Sequence, residues 1–121
     1  MKGFAPIGLS TYNRLCHLKK TIKSLQQNTL ASQSDLYIFS DAPKNGDEDI
    51  VVMVREYIHT VDGFKEVHII ERETNDRVAN NRGGMKQLLD AYGKMIWFED
   101  DNIISEYFLE FANDILVKYK D

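Results

Sequence analysis

Four short apolar segments recur along the chain, at residues 4–9, 36–39, 67–70 and 95–98. Between them, apolar residues repeat at the three- and four-residue spacing of amphipathic helices. Each strand-plus-helix repeat takes about thirty residues, which is the length of a βαβ unit. Parallel strands joined by right-handed helical crossovers follow from this alternation. We therefore predict an α/β protein, a three-layer α/β/α sandwich around a mainly parallel sheet of about four strands.

The four predicted helices each carry one apolar face, and residues typical of caps mark three of their ends. Asn13 is placed to begin the first helix, Gly93 to end the third and Ser105 to begin the fourth. The expected inward faces are Leu15, Leu18, Ile22 and Leu25; then Ile50, Val54, Tyr57, Ile58 and Val61; then Met85, Leu88, Leu89 and Tyr92; and last Phe108, Phe111, Ala112, Ile115 and Tyr119.

Three acidic residues, Glu99, Asp100 and Asp101, directly follow the last apolar segment. Adjacent carboxylates repel one another unless a cation or hydrogen-bond donors compensate. Ligands of open α/β sheets bind at the carboxyl ends of the strands, so we predict a site for Mg²⁺ or Mn²⁺ there. The alternative is a signal for the start of the fourth helix, for which one acidic residue would be enough.

Two further loops are predicted to reach the same sheet edge. Residues 10–14 offer backbone amides to an anion, and Tyr12 offers a ring that can stack on a base. Asp41 follows the second strand, where it could accept a hydrogen bond from a ring N–H or a ribose hydroxyl. Taken alone, each has a plain structural alternative: packing for Tyr12 and turn formation for Asp41.

The stretch from residue 71 to residue 84 is polar and rich in Asn, Arg and Gly. Gly83 and Gly84 would each cost about 1 kcal/mol inside a helix, so the pair indicates the close approach of another backbone or a ligand. Arg77 and Arg82 are both suited to a diphosphate, because a guanidinium matches phosphate oxygens. Surface exposure is the alternative for either arginine.

Composition narrows the function classes. The net charge is −4 over 121 residues and no Lys/Arg cluster stands out, which argues against nucleic-acid binding. A single cysteine excludes an intrachain disulfide, and the three histidines show no metal-ligand spacing. No signal-peptide pattern and no apolar run of about 18 residues is present, so we expect a cytoplasmic protein, with peripheral membrane association left open. The chain also lacks the GxGxxG, Walker A and GxSxG motifs.

Four segments, in this order along the chain, resemble the amino-terminal half of a family 2 glycosyltransferase of the GT-A fold. They are Pro6–Arg14, His17–Ile22, Ile38–Asp41 and Trp97–Asp101. The last segment is similar to the family's DXD motif, in a Glu-Asp-Asp form. The resemblance implies a site for a nucleoside-diphosphate-sugar donor, a UDP-sugar before others, with Mn²⁺ or Mg²⁺. The nucleotide-sugar-binding residues it implies are Ser10, Thr11, Tyr12, Asn13, Arg14, Asp41, Arg77 and Asp100, and the metal residues are Asp101 and Glu99.

The resemblance also assigns roles. Tyr12 would stack on the base and Asp41 would accept from its ring N–H. Asp100 would meet the ribose or the sugar, while Asp101 would bind the metal that bridges the diphosphate. Arg77 would approach the base or the diphosphate, with Arg82 as its alternative.

The family's acceptor pocket and catalytic base come from the second half of its domain. The downstream acids Glu106, Glu110 and Asp114 all lie on the predicted last helix, so no catalytic residue is assigned here. We therefore expect residues 1–121 to form a single nucleotide-sugar-binding domain, the amino-terminal portion of a longer inverting glycosyltransferase whose acceptor is a glycan or a lipid-linked sugar. The alternative is a non-catalytic nucleotide-binding module that self-associates through an exposed sheet edge.

Overall fold

Strands and helices alternate along the chain as predicted. The computed structural model describes residues 3–102 and 106–118. The strands are β1 (Ile7–Thr11), β2 (Asp35–Ser40), β3 (Glu66–Glu71) and β4 (Ile96–Glu99). The helices are α1 (Leu15–Gln26), α2 (Glu48–Ile58), α3 (Arg77–Tyr92) and α4 (Phe108–Lys118), with a short 3₁₀ turn at Ala31–Gln33.

The four strands form one parallel sheet in the order β3-β2-β1-β4. β1 lies between β2 and β4 and is buried along its whole length, which explains its continuous apolar pattern. The chain leaves β1 on one side to build β2 and β3, then returns to the other side for β4. This reversal of strand order creates a crevice at the carboxyl ends of β1 and β4, the usual ligand position in open α/β sheets.

Helices cover both faces of the sheet, so the predicted three-layer α/β/α architecture is confirmed. On one face, side chains of α1, α2 and α4 join those of the strands in a single buried cluster. Its fully buried members include Leu9, Ile22, Val54 and Leu109. The other face is covered by α3, which contacts β1 and β2.

Glycine lets α3 approach the sheet closely. A Cβ placed on Gly84 would lie 2.8 Å from Cη2 of Trp97 and 3.0 Å from Cγ of Phe39. Gly8, in β1 beneath the same helix, would bring its Cβ within 2.5 Å of the Trp97 ring. The close approach at Gly84 is thus to the side chains of Trp97 and Phe39 rather than to another backbone, whereas a Cβ on Gly83 would meet nothing within 4 Å.

The expected start of α1 is wrong. Arg14, not Asn13, occupies the N-cap position of α1, and it makes no side-chain capping bond. The amide Nδ2 of Asn13 instead donates to Asp47 Oδ2 at 3.4 Å. α3 begins at Arg77, inside the polar stretch, because the Asp76 carboxylate accepts from the Ala79 N–H at 3.0 Å and caps the helix. The end of α3 at Gly93, in the left-handed conformation with φ of 77°, is as predicted.

The inward face of α4 agrees with the expectation at Phe108 and Ala112, which pack against the core, but differs at other positions. Phe111 and Ile115 are 61% and 38% exposed, while Leu109 and Asn113 are buried. The cause is polar: Asn113 Oδ1 accepts from the Ala5 N–H at 2.7 Å, which turns the asparagine towards the sheet. Leu89 of α3, expected inside, is 46% exposed. The predicted roles of Ser105 and Tyr119 concern positions outside the described residues.

Within residues 3–102 and 106–118, no helix is long and apolar enough to cross a membrane.

Candidate functional site

A pocket of about 410 Å³ opens at the carboxyl ends of the strands. Every residue predicted for the site lines it except Asp101: Ser10, Thr11, Tyr12, Asn13, Arg14, Asp41, Arg77, Glu99 and Asp100. Four further residues line it that the sequence did not single out: Lys44, Asn75, Asn80 and Asn81. Of the two candidate arginines, Arg77 lines the pocket and Arg82 does not. This gives the location of each side chain and leaves a contact with phosphate as a prediction.

Asp100 is a buried carboxylate fixed between β1 and α1. Its Oδ2 accepts from Thr11 Oγ1 at 3.2 Å, and its backbone carbonyl accepts from Thr21 Oγ1 at 2.9 Å. Burial raises the pKa of Asp100, and the nearby Arg14 guanidinium and the Thr11 hydroxyl partly oppose that rise. The aspartate is therefore held in one place, and positive charge beside it favours its ionised form.

Arg14 supplies that positive charge. Its Nη2 lies 3.3 Å from Asp100 Oδ1, and its Nη1 lies 3.5 Å from Asp101 Oδ2. The Arg14 and Asp101 side chains are about half exposed, at 48% and 43%. The guanidinium thus occupies the position that a cation shared by the two aspartates would take, and these carboxylates fit a positively charged ligand.

Glu99 is the last residue of β4, and Asp100 follows it in a turn. The two carboxylates have different partners, since Asp100 is bonded to Thr11 whereas Glu99 faces α3. The Glu99 carboxylate pairs with Arg77 at 3.7 Å. Among the described residues, Glu99, Asp100 and Asp101 do not come close enough together to form a three-ligand group.

Tyr12 is held by the loop that follows β2. Its hydroxyl donates to Asp47 Oδ2 at 2.7 Å and accepts from the Lys44 N–H at 2.9 Å. Burial, followed by the hydrogen bond and the charge of Asp47, raises the pKa of Tyr12, so the phenol stays protonated and keeps donating. The ring is thereby anchored at its far end beside the pocket.

Asp41 connects β2 to the loop before α3. Its Oδ1 accepts from the backbone N–H groups of Ala42 and Asp76 at 2.9 and 3.0 Å. Within the part of the chain that the structure describes, its Oδ2 accepts one long bond of 3.3 Å, from Asn75 Nδ2, so this oxygen has capacity for a further donor. The side chain is therefore both a structural link and an available acceptor.

Arg55 of α2 holds the ends of β2 and β3 behind the pocket. Its Nη2 donates to the carbonyls of Ser40, Asp41 and Arg72 at 3.2, 3.2 and 2.9 Å. Its Nε donates to Ser40 Oγ at 3.0 Å. One guanidinium thus fixes the backbone from which Asp41 projects, a role that no local sequence signal indicated.

Asn80 brings α3 to the end of β2. It is 4% exposed, and its Nδ2 donates to the Phe39 carbonyl at 3.0 Å. The bond satisfies a carbonyl near the strand end and fixes the first turns of α3, which carry Arg77, against the pocket.

Comparisons with known proteins bear on the fold. No family model and no curated protein matches the chain. Among solved structures, Staphylococcus aureus TarS superposes with a TM-score of 0.64 at 15% identity, over 97% of this chain and 20% of that one. The structure of TarS 1–349 superposes with a TM-score of 0.61 at 11% identity, over 94% and 33%.

The fold is glycosyltransferase-like. TarS is a GT-A-type glycosyltransferase. This chain spans 20% of the length of the first TarS structure and 33% of the length of TarS 1–349. At such low identity the likeness concerns the fold, and the chemistry must be argued from the pocket.

Proposed function

We propose that this chain is the donor-binding domain of an inverting glycosyltransferase, which binds a nucleoside-diphosphate sugar together with Mn²⁺ or Mg²⁺. The observation that carries the proposal is the convergence of Tyr12, Asp41 and Asp100 in one pocket at the point where the strand order reverses. A glycosyltransferase-like fold with an aromatic ring, a buried acceptor and a carboxylate at that edge suits a nucleotide ligand.

The nucleoside end of the donor would lie between Tyr12 and Asp41. Tyr12 offers a ring whose hydroxyl is already anchored, so little side-chain entropy is lost when a base stacks on it. Asp41 Oδ2 has capacity to accept from a ring N–H, which is why we propose a uracil base and hence a UDP-sugar.

The diphosphate would lie between the acidic residues and the arginines. Asp101, with Asp100 beside it, would hold the metal ion through carboxylate oxygens, the ligands that hard divalent cations prefer. To bind there, the ion would displace the Arg14 guanidinium, which lies 3.3 Å from Asp100 Oδ1 and 3.5 Å from Asp101 Oδ2. When bound, the ion would supply neutralisation of the charge that develops on the leaving diphosphate. Arg77 would contact phosphate oxygens, oriented by Glu99, which reaches the metal only by leaving its ion pair.

The acceptor and the general base belong to the same proposal. The carboxylates that line the pocket belong to Asp41, Glu99 and Asp100, and each has a proposed role with the donor or its metal. We therefore propose that a separate segment supplies the base. A glycan or a lipid-linked sugar is the proposed acceptor, and the cytoplasm or its membrane surface is the proposed location.

Thermal unfolding tests donor binding. We expect UDP with Mn²⁺ to raise the melting temperature, and Asp101→Ala to abolish the rise because the metal loses its main ligand. Asp90→Ala is the matched control, since Asp90 is exposed on α3, pairs with Lys86 and does not line the pocket. No rise with any nucleoside diphosphate, or equal behaviour of the two variants, would contradict the proposal.

A self-associating module is the second candidate, favoured by one observation. The α4 region exposes Tyr107 and Phe111, about one helical turn apart, at 58% and 61%, an apolar surface that a second copy could cover. Sedimentation analysis should then show dimers that Phe111→Ser and Tyr107→Ser weaken. A monomer at all concentrations would refute this candidate without affecting nucleotide binding.

A further inference from the structure

Three metal-ligating side chains meet at the opposite end of the sheet from the pocket. Asp35 begins β2, and Glu66 and His68 lie at the start of β3. Asp35 is paired with Glu66 in the parallel register, and Tyr37 is paired with His68. Because alternate residues share a face, all four side chains lie on the face that α3 covers. One ligand atom from each of Asp35, Glu66 and His68 lies within 4.8 Å of the others.

This arrangement carries an electrostatic cost. Asp35 and Glu66 occupy directly paired positions on the same face, where like charges destabilise a sheet. Asp35 Oδ2 accepts from the Tyr92 hydroxyl at 3.0 Å, but Oδ1 is buried and has no hydrogen-bond partner among the described residues. A buried carboxylate oxygen without a donor calls for a compensating group, and a bound cation is one such group.

The imidazole is already oriented. His68 stacks on Tyr37 with ring centroids 4.4 Å apart, and the Tyr37 and Tyr92 hydroxyls are hydrogen-bonded at 2.7 Å. The Tyr92 hydroxyl in turn donates to Asp35 Oδ2, so the two tyrosines hold both the imidazole and this carboxylate. A ligand set whose rings and carboxylates are fixed by neighbours loses less entropy when it binds a metal.

We propose that Asp35, Glu66 and His68 form a binding site for a divalent transition-metal ion of the Zn²⁺ type. One imidazole nitrogen and two carboxylate oxygens suit Zn²⁺ better than Mg²⁺, which prefers oxygen alone. Ligand atoms around a tetrahedral Zn²⁺ lie about 3.3 Å apart, and Glu66 Oε1 and His68 Nε2 are already separated by 3.1 Å. Only Asp35 needs to approach, and water completes the fourth position.

The bound ion would join the starts of β2 and β3 beside the last turn of α3. It neutralises the paired carboxylates and leaves the Tyr92–Asp35 hydrogen bond in place. The site lies at the amino ends of the strands, so it does not depend on donor binding at their carboxyl ends.

Zinc titration of metal-free protein without a polyhistidine tag tests the proposal. We expect one high-affinity Zn²⁺ site per chain by calorimetry, separate from any weaker binding at Asp101, together with a higher melting temperature with Zn²⁺. The affinity of this site should be about tenfold or more weaker in His68→Gln and in Asp35→Asn. His59→Gln is the matched control, because His59 forms an exposed 2.8 Å pair with Glu71 that gains no third ligand from residues 3–102 and 106–118.

Several outcomes separate the possibilities. High-affinity Zn²⁺ binding that is absent from the wild type, that survives in both ligand variants, or that His59→Gln weakens equally would overturn the site. Far-ultraviolet circular dichroism shows whether His68→Gln folds, and Asp35→Asn gives an independent second variant. Asp101→Ala should leave the high-affinity Zn²⁺ binding unchanged, so failure of the donor-site proposal would be distinct from failure of this one.

Discussion

The contact between α3 and the sheet gives the sharpest prediction, because two adjacent glycines differ in their surroundings. A Cβ on Gly84 would lie 2.8 Å from Trp97 and 3.0 Å from Phe39, closer than real Cβ contacts. These two rings are themselves stacked with centroids 5.5 Å apart, so neither can move away without disturbing the other. Gly83, one position earlier, faces open space.

The two alanine substitutions should therefore change stability in opposite directions. Replacing a helical glycine by alanine gains about 0.5–1 kcal/mol, and Gly83→Ala should show that gain in full. Gly84→Ala receives the same gain but overpacks the helix–sheet contact, which costs about 1–3 kcal/mol. We expect a net loss of about 1–2 kcal/mol for Gly84→Ala, or a melting temperature lower by roughly 4–8 °C.

Urea unfolding followed by circular dichroism measures both free energies of unfolding. Gly84→Ala should also weaken nucleotide binding, because α3 carries Arg77 and Asn80 of the pocket. If Gly84→Ala were as stable as Gly83→Ala, α3 would not lie at the distance from Trp97 that the structure shows, and the packing argument would be refuted.

Three further substitutions test individual contacts in the pocket. Arg14→Gln removes the cation beside two aspartates. Mn²⁺ alone should then bind about fivefold more tightly, which corresponds to about 1 kcal/mol, while nucleoside diphosphate binds more weakly. If both affinities rose or both fell, this reasoning would be contradicted. Tyr12→Phe keeps the ring but loses the hydrogen bond to Asp47, so the free energy of UDP binding should become less favourable by about 1 kcal/mol. An unchanged calorimetric Kd would show that this bond does not position the ring. Asp41→Ala leaves the Asp76 N–H without its acceptor, so the free energy of unfolding should fall by about 1–3 kcal/mol. A stability equal to that of the wild type in urea titration would exclude this structural role of Asp41.

Much of the fold could be predicted because buried parallel strands and amphipathic helices leave distinct patterns. The first turns of α3 were not predicted because Asn and Gly are weak helix formers, although Asp76 three residues before Ala79 is a capping signal. The face of α4 was wrong because hydrophobicity alone turns Phe111 inward, whereas the buried hydrogen bonds of Asn113 turn that asparagine inward instead. Tertiary hydrogen bonds of this kind are invisible to a periodicity argument.

The pocket was predictable to the extent that topology gathers strand ends. Tyr12 and Asp41 follow strands directly, so a parallel sheet brings them to one edge. Lys44, Asn75 and Asn80 enter the pocket from loops and a helix, where spacing carries no such information. Adjacency in the sequence also does not give the partners of these acids, because Asp100 lies beside Arg14 whereas Glu99 lies beside Arg77.

The cluster of Asp35, Glu66 and His68 at the amino ends of the strands was equally unpredictable from the sequence. Asp35 and His68 belong to different strands, and only the register of the β2–β3 pair brings them together. A search for ligand spacing along the chain therefore finds nothing, whereas the folded sheet forms a three-ligand group.

Calorimetric titration of UDP into the wild-type chain, with Mn²⁺ and then with excess chelator, tests the central claim most directly. The account predicts one saturable site with Mn²⁺, strong weakening when the metal is chelated, and no metal-dependent binding in Asp101→Ala. Binding of equal strength with and without metal, or equal binding by wild type and Asp101→Ala, would contradict a metal-assisted donor site at the end of β4.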